Sequence, residues 1–170
     1  MSLQPAPALH APVLRTERPQ DGPLADALID RAFGPGRYVK VSERVREFAQ
    51  FAPELSFCAW RDDRLVGVVR QWRVRAGDSP IVFLGPIAVE ASERSGGVGA
   101  ALVAAAVAAA RAAGEPAIVL VGDEPYFGRW GFSAAAARQV RLPGPVDPNR
   151  TLAATFTDEG ARLAGLVRPL

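Results

Sequence analysis

A chain of 170 residues, 49% apolar and with a formal net charge of only +2, is long enough to bury a core and too apolar to stay unfolded. Its cations are arginines spread along the chain, with Lys40 the single lysine, so no basic patch argues for nucleic acid as a partner. The lone cysteine (Cys58) and lone histidine (His10) exclude an internal disulfide, a His/Cys metal set and a Ser-His or Cys-His nucleophile pair.

Residues 1–11, rich in proline and alanine, read as a disordered tail, and 12–170 as one domain. The tail lacks the cationic start and apolar run of a secretory signal. The longest uncharged run, 95–110, is shorter and less apolar than the ~20 residues of a membrane helix. A cytoplasmic protein with no membrane partner is the expectation. Residues 13–17 predict a strand. Asp21, as a cap with Pro23 in the first turn, predicts a helix up to Gly34. Apolar residues at Val41, Val45, Phe48 and Phe51 have the spacing of a second amphipathic helix. The runs 55–61 and 65–75 form a hairpin turned at Asp62-Asp63, with Cys58 among its core positions.

The next run, IVFLGPIAV over 81–89, is apolar on both faces and predicts a covered central strand. Residues 97–113 predict a helix stopped by Gly114, and 117–121 a second covered strand. A strand-helix-strand unit of this length implies parallel pairing. A short helix over 125–130 and strands over 139–142 and 152–157 complete the order β-α-α-β-β-β-α-β-α-β-β. The class is α/β in the mixed (α+β) sense, a mixed sheet with helices on both faces.

Two details of this pattern carry chemistry. The predicted long helix opens on RSGGVGAAL, where glycines weaken a helix by roughly 1 kcal/mol each against alanine. A helix N-terminus holds unpaired N–H groups and partial positive charge, and Gly96, Gly97 and Gly99 let a bulky anion approach them. Arg94 adds a cation. A dinucleotide-binding turn fits poorly, because Leu102 stands where the third glycine of G-x-G-x-x-G belongs. The second detail is Gly85-Pro86 in the middle of the central strand. Proline cannot donate to a ladder, so the carboxyl end of the strand is expected to splay from its neighbour. Backbone groups of Ile87, Ala88 and Val89 are then available to an extended, amide-bearing ligand ending in a pyrophosphate, such as coenzyme A.

The succession LGPIAV, RSGGVGAAL and GDEPYFGRWGF, at this spacing, resembles the GCN5-related N-acetyltransferase (GNAT) superfamily, and within it the YhbS-like branch. The resemblance implies the GNAT fold, with a splay between two parallel strands. It implies transfer of an acyl group, most simply acetyl from acetyl-CoA as cosubstrate, to an amine by direct attack on the thioester, with no metal. By the same resemblance the cofactor contacts fall on Ile87, Ala88, Val89, Arg94, Ser95, Gly96, Gly97, Val98, Gly99 and Ala100. The acceptor is a small-molecule, peptide or protein amine, and an acyl carrier protein is an alternative donor. Room is left for a homodimer.

Catalytic groups are less legible. The tyrosine that often serves as leaving-group acid in this superfamily is replaced here by Phe127, with Tyr126 adjacent. No carboxylate lies on 81–89, which leaves Asp123 and Glu54 as candidate bases, or a water relay. Asp123 also reads as a helix cap, and Tyr126 as a packing residue. Arg37, Tyr38 and Lys40 are candidates for an anionic acceptor, against the plainer reading of a solvated loop. A CoA-binding module without catalysis is the alternative function.

Overall fold

The computed structural model describes residues 10–170, so most of the expected tail, 1–9, lies outside the described residues. Strand β1 (Val13–Thr16) is followed by helices α1 (Gly22–Phe33) and α2 (Val41–Phe48). A two-residue strand, β2 (Gln50–Phe51), precedes β3 (Phe57–Arg61), β4 (Arg64–Ala76) and β5 (Ser79–Val89). Then come α3 (Val98–Ala112), β6 (Ala117–Val121), α4 (Glu124–Phe127), β7 (Val140–Arg141), β8 (Thr151–Thr155) and β9 (Gly165–Arg168). The sheet runs β1-β3-β4-β5-β6-β8, antiparallel except for the central β5–β6 pair.

Both faces of this sheet are covered by apolar side chains, as the continuous apolar runs in β5 and β6 require. On one face α3 lays down Val98, Leu102, Val103 and Ala106 against Val66, Val82, Ile118 and Leu152. On the other, α2 and the C-terminal strands cover Phe83, Val119 and Ala153, while α1 packs Ala25, Leu28 and Ile29 on Cys58, Val68 and Ala88. Helix α3 ends where Gly114 takes φ +76°, the left-handed turn expected of it.

Several local expectations are corrected. Asp21 stands at the N-cap of α1 but its carboxylate does not cap the helix. It accepts instead from the Arg18 backbone N–H at 3.0 Å and from the Arg18 guanidinium at 3.1 and 3.2 Å. The second helix stops at Phe48, because Ala49 turns to extended backbone and Gln50–Phe51 pairs with Arg73 and Trp72 of β4. Phe51 packs on Trp72 with ring centroids 5.0 Å apart. A helical spacing and a sheet contact ask for the same apolar residue at that position, and the sheet edge wins it. The strand predicted over 139–142 is only two residues long, paired in parallel with β9. Strand β9, unforeseen, also closes on the end of β4 through Arg168↔Arg75 and Val167↔Ala76.

Candidate functional site

Strands β5 and β6 exchange hydrogen bonds only at Val82↔Ile118 and Phe83↔Val119. Beyond that point β5 continues for six residues, Leu84 to Val89, with no partner on that side. On its other side β5 stays with β4, apart from one register shift between Val69 and Gln71, opposite Gly85-Pro86. Pro86 brings no N–H, and the Gly85 carbonyl accepts from the Trp72 indole at 2.6 Å. Glu90 donates to Val66 of β4 at 2.9 Å. The alternation of an antiparallel ladder then turns Ala88 toward β4 as well, and Ile87 and Val89 to the opposite edge. Their N–H and C=O groups face the gap that β6 vacates.

One end of this gap opens on the glycine loop. Gly97 is the N-cap residue of α3 at φ +77°, ψ 7°, a left-handed conformation that glycine reaches without strain. No side chain caps the helix, so its first N–H groups stay open. Val98, buried, locks the start of the helix to the core, whereas Arg94, Ser95, Gly96 and Gly97 are exposed. A cavity of about 410 Å3 runs from Ile87, Ala88 and Val89 past Arg94, Gly97, Gly99 and Ala100 to Tyr126 and Arg129. Seven of the ten positions expected to contact the cofactor line this cavity; Ser95 and Gly96 lie on the adjoining loop, Val98 is buried in the core, and the Ala88 backbone is turned to β4 rather than to the gap. The loop is tied from behind by a group that the sequence reading missed. Glu93 accepts from Arg61 at 2.9 and 2.7 Å, and this hydrogen-bonded pairing holds its carboxyl below the ordinary carboxylate range. The two partners lie 32 positions apart, and no local pattern announces them.

The other end of the gap opens on a second cavity, of about 470 Å3, between α2, Leu84 to Ile87 of β5, the end of β6 and Phe127. Arg37, Lys40, Glu43 and Arg46 line it, with Arg150 and Asp147 across the mouth. Glu43 is shared by Arg37, at 2.9 Å, and Arg46; Arg37 also reaches Asp30 at 2.8 Å. Nothing in the sequence sets Arg46 apart from the other polar positions of α2. Burial lowers its pKa from the ordinary arginine value, outweighing the hydrogen bond to Glu43.

Tyr126 and Phe127 point to different ends. A Cβ on Gly99 would stand 3.5 Å from the Tyr126 hydroxyl, which places that hydroxyl beside the glycine loop. Phe127 lines the second cavity and lies so close to Gly122 that a Cβ there would come within 2.4 Å of its ring. Asp123 is exposed, makes no side-chain cap to α4 and pairs with Arg150 at 3.1 Å. Glu54 pairs with Arg73 outside both cavities. Cys58 is fully buried, and desolvation first, then Glu17, pushes its thiol up to about 12.

A strand edge left open beside an uncapped, glycine-started helix is the arrangement of an acyl-CoA-binding acetyltransferase. The chain belongs to the acetyltransferase (GNAT) family, whose model matches residues 24–132. Among curated proteins it is similar to the uncharacterized N-acetyltransferase YhbS of Escherichia coli K12, 29% identical over 136 residues that cover 78% of this chain and 80% of that relative. The crystal structure of E. coli YhbS in complex with CoA matches with a TM-score of 0.78 and 26% identity, covering 99% of this chain and 94% of that one. A GNAT acetyltransferase of Brucella melitensis in complex with acetyl-CoA matches with a TM-score of 0.70 and 25% identity, over 95% and 97% of the two chains.

Proposed function

We propose that this protein is an acyl-CoA-dependent N-acyltransferase that moves acetyl from acetyl-CoA to an amine by direct attack on the thioester. The observation that carries the reading is the unpaired edge at Ile87 and Val89, facing a gap that joins the glycine loop to the second cavity. The pantetheine amides pair with that edge as a missing strand would. The diphosphate meets the first N–H groups of α3, with Arg94 as counter-charge. Two relatives that share this fold bind CoA or acetyl-CoA.

In that pose the thioester lies near Ile87, where the two cavities meet, and the amine arrives from the Arg46 side. Its nitrogen attacks the carbonyl carbon while both substrates are held, so positioning is the protein's main contribution. The Ile87 N–H, freed from the ladder, donates to the oxyanion that develops. No unpaired carboxylate lines the second cavity except Asp147, which caps its own turn by accepting from Asn149 at 2.9 Å. The amine proton therefore leaves through water. Phe127 has no proton to give, and Tyr126 sits at the diphosphate end, so CoA departs as a thiolate and is protonated by solvent. A thiol with a pKa near 8.5 is an adequate leaving group without a dedicated acid.

The acceptor is an amine on a small molecule, a peptide or a protein. Thiol release from acetyl-CoA, followed across an amine panel, tests the reading: release that depends on both substrates supports it. Phe127 favours one other reading, a CoA-binding module without catalysis, which predicts CoA binding and no amine-dependent release. Release only with an acyl carrier protein as donor would move the activity to that thioester. Buried Cys58 adds nothing to a thiol signal from the native protein.

A further inference from the structure

The lining of the second cavity holds four cations, Arg37, Lys40, Arg46 and Arg150, against two carboxylates, Glu43 and Asp147, with Asp30 and Asp123 pairing Arg37 and Arg150 from outside it. Arg46 is its most buried arginine, the side chain only 9% exposed against 15% for Arg37 and 51% for Arg150. Its only hydrogen bond among the described residues runs from Nη2 to Glu43. A guanidinium has five N–H donors, so most of its capacity remains unused. The Nη1 edge lies at the splay, 3.6 Å from where a Cβ on Gly85 would stand. Glu43 cannot serve as a full counter-charge, because Arg37 takes the same oxygen. Arg37 and Arg70 stand near enough to repel Arg46 further, and desolvation already disfavours its charged form. Lys40, at the mouth, rests on the Phe33 ring with no carboxylate partner among the described residues. Arg150 at the opposite rim is occupied by Asp123.

We infer that the acceptor amine carries its own anion, a carboxylate or a phosphate, which docks on the Nη1 edge of Arg46 with Lys40 as a second cation. This rests on the acetyl-transfer reading and names its substrate class. The anion takes up free donors of a guanidinium held against Gly85 in the middle of β5, near the point where the thioester is placed. An amine a few bonds from that anion is then delivered to the carbonyl from the face opposite the CoA diphosphate. A neutral amine leaves the free donors of Arg46 to water and gains nothing from the site.

The test uses matched amines: β-alanine with propylamine, and phosphoethanolamine with ethanolamine. Thiol release from acetyl-CoA should favour the anionic member of at least one pair by roughly 10- to 100-fold in kcat/KM, the range that hydrogen bonds to charged groups sustain. Which pair responds distinguishes carboxylate from phosphate. Arg46→Gln should bring that ratio to within about threefold, and Arg46→Lys should keep part of it, because the charge survives and the fork does not. CoA affinity of each variant, measured by calorimetry, reports whether it has folded. Lys40→Gln, at an exposed position, should cut the ratio in the same direction without risk to the core. Calorimetric binding of the four amines to the CoA-loaded protein separates this inference from the reading beneath it. Selective binding of an anionic amine supports the inference even if no thiol is released, a result that would instead count against acetyl transfer. Equal treatment of both members of each pair, or no binding by any, overturns it.

Discussion

Tyr126 and Phe127 are neighbours in sequence but serve opposite ends of the cleft, and the split sets a prediction. The Tyr126 hydroxyl stands beside Gly99, so Tyr126→Phe should weaken acetyl-CoA binding, seen as a rise of about 3- to 10-fold in its KM, roughly one hydrogen bond. The kcat should stay within about twofold, because the hydroxyl is not at the thioester. A fall in kcat with KM unchanged would make Tyr126 the leaving-group acid after all. From the sequence alone, the two residues could not be assigned to their ends. One step along a helix turns a side chain by roughly 100°, and which direction faces the cleft depends on how the Phe127 ring seats against Gly122. Arg46 was hidden for a related reason: a polar position on an amphipathic helix looks the same whether it meets water or a cavity.

At the scale of elements, the glycine loop is held by pairing that the sequence does not display. Arg61, at the end of β3, donates twice to Glu93 behind the loop. The folded pKa of Glu93 lies below its ordinary value of 4.5, so the pair stabilises fully above that value and is lost as pH falls through the lowered one. Arg61→Met should therefore reduce Tm at pH 7, by an amount that shrinks as pH falls below 4.5. A gap in Tm that is constant over this range would contradict the assignment. Elements with a periodic signal were legible: α1, α3, the hairpin of β3 and β4, and the parallel β5–β6 pair all follow from spacing and covered apolar runs. Phe51 shows where such spacing misleads, since one apolar side chain satisfies a helix face and a sheet edge alike. The short strands β2 and β9 carry too few residues for alternation to mark them, and β7 was legible only as a longer strand than it is.

Across the whole molecule, α1 and the β1 connection are tied to the sheet by Arg70, which lies at the register shift opposite Gly85-Pro86. It donates to Glu17 at 2.6 and 2.9 Å and to Asp26 at 2.6 Å, and Glu17 is itself buried, its side chain only 3% exposed. Arg70→Met strands a buried carboxylate, which costs about 3–5 kcal/mol, or roughly 6–20 °C in Tm for a domain of this size. Adding Glu17→Leu should recover most of the loss; no recovery would mean that packing of the arginine stem, rather than charge, is the tie. The order of strands and the break beside Pro86 were legible because proline and glycine constrain the backbone wherever they stand. The charge network was not, because ion pairs between distant segments follow from the fold and not from spacing.

The account depends on α3 opening as an anion site, and calorimetric titration with CoA tests this most directly. A Cβ on Gly99 meets only ordinary contacts, and a glutamate in the first turn of a helix favours its stability by about 0.3–1 kcal/mol. Gly99→Glu should thus leave Tm unchanged or slightly raised while weakening CoA binding at least about 100-fold, since the new carboxylate occupies and repels the diphosphate position. A folded Gly99→Glu protein that binds CoA as tightly as wild type would contradict the account.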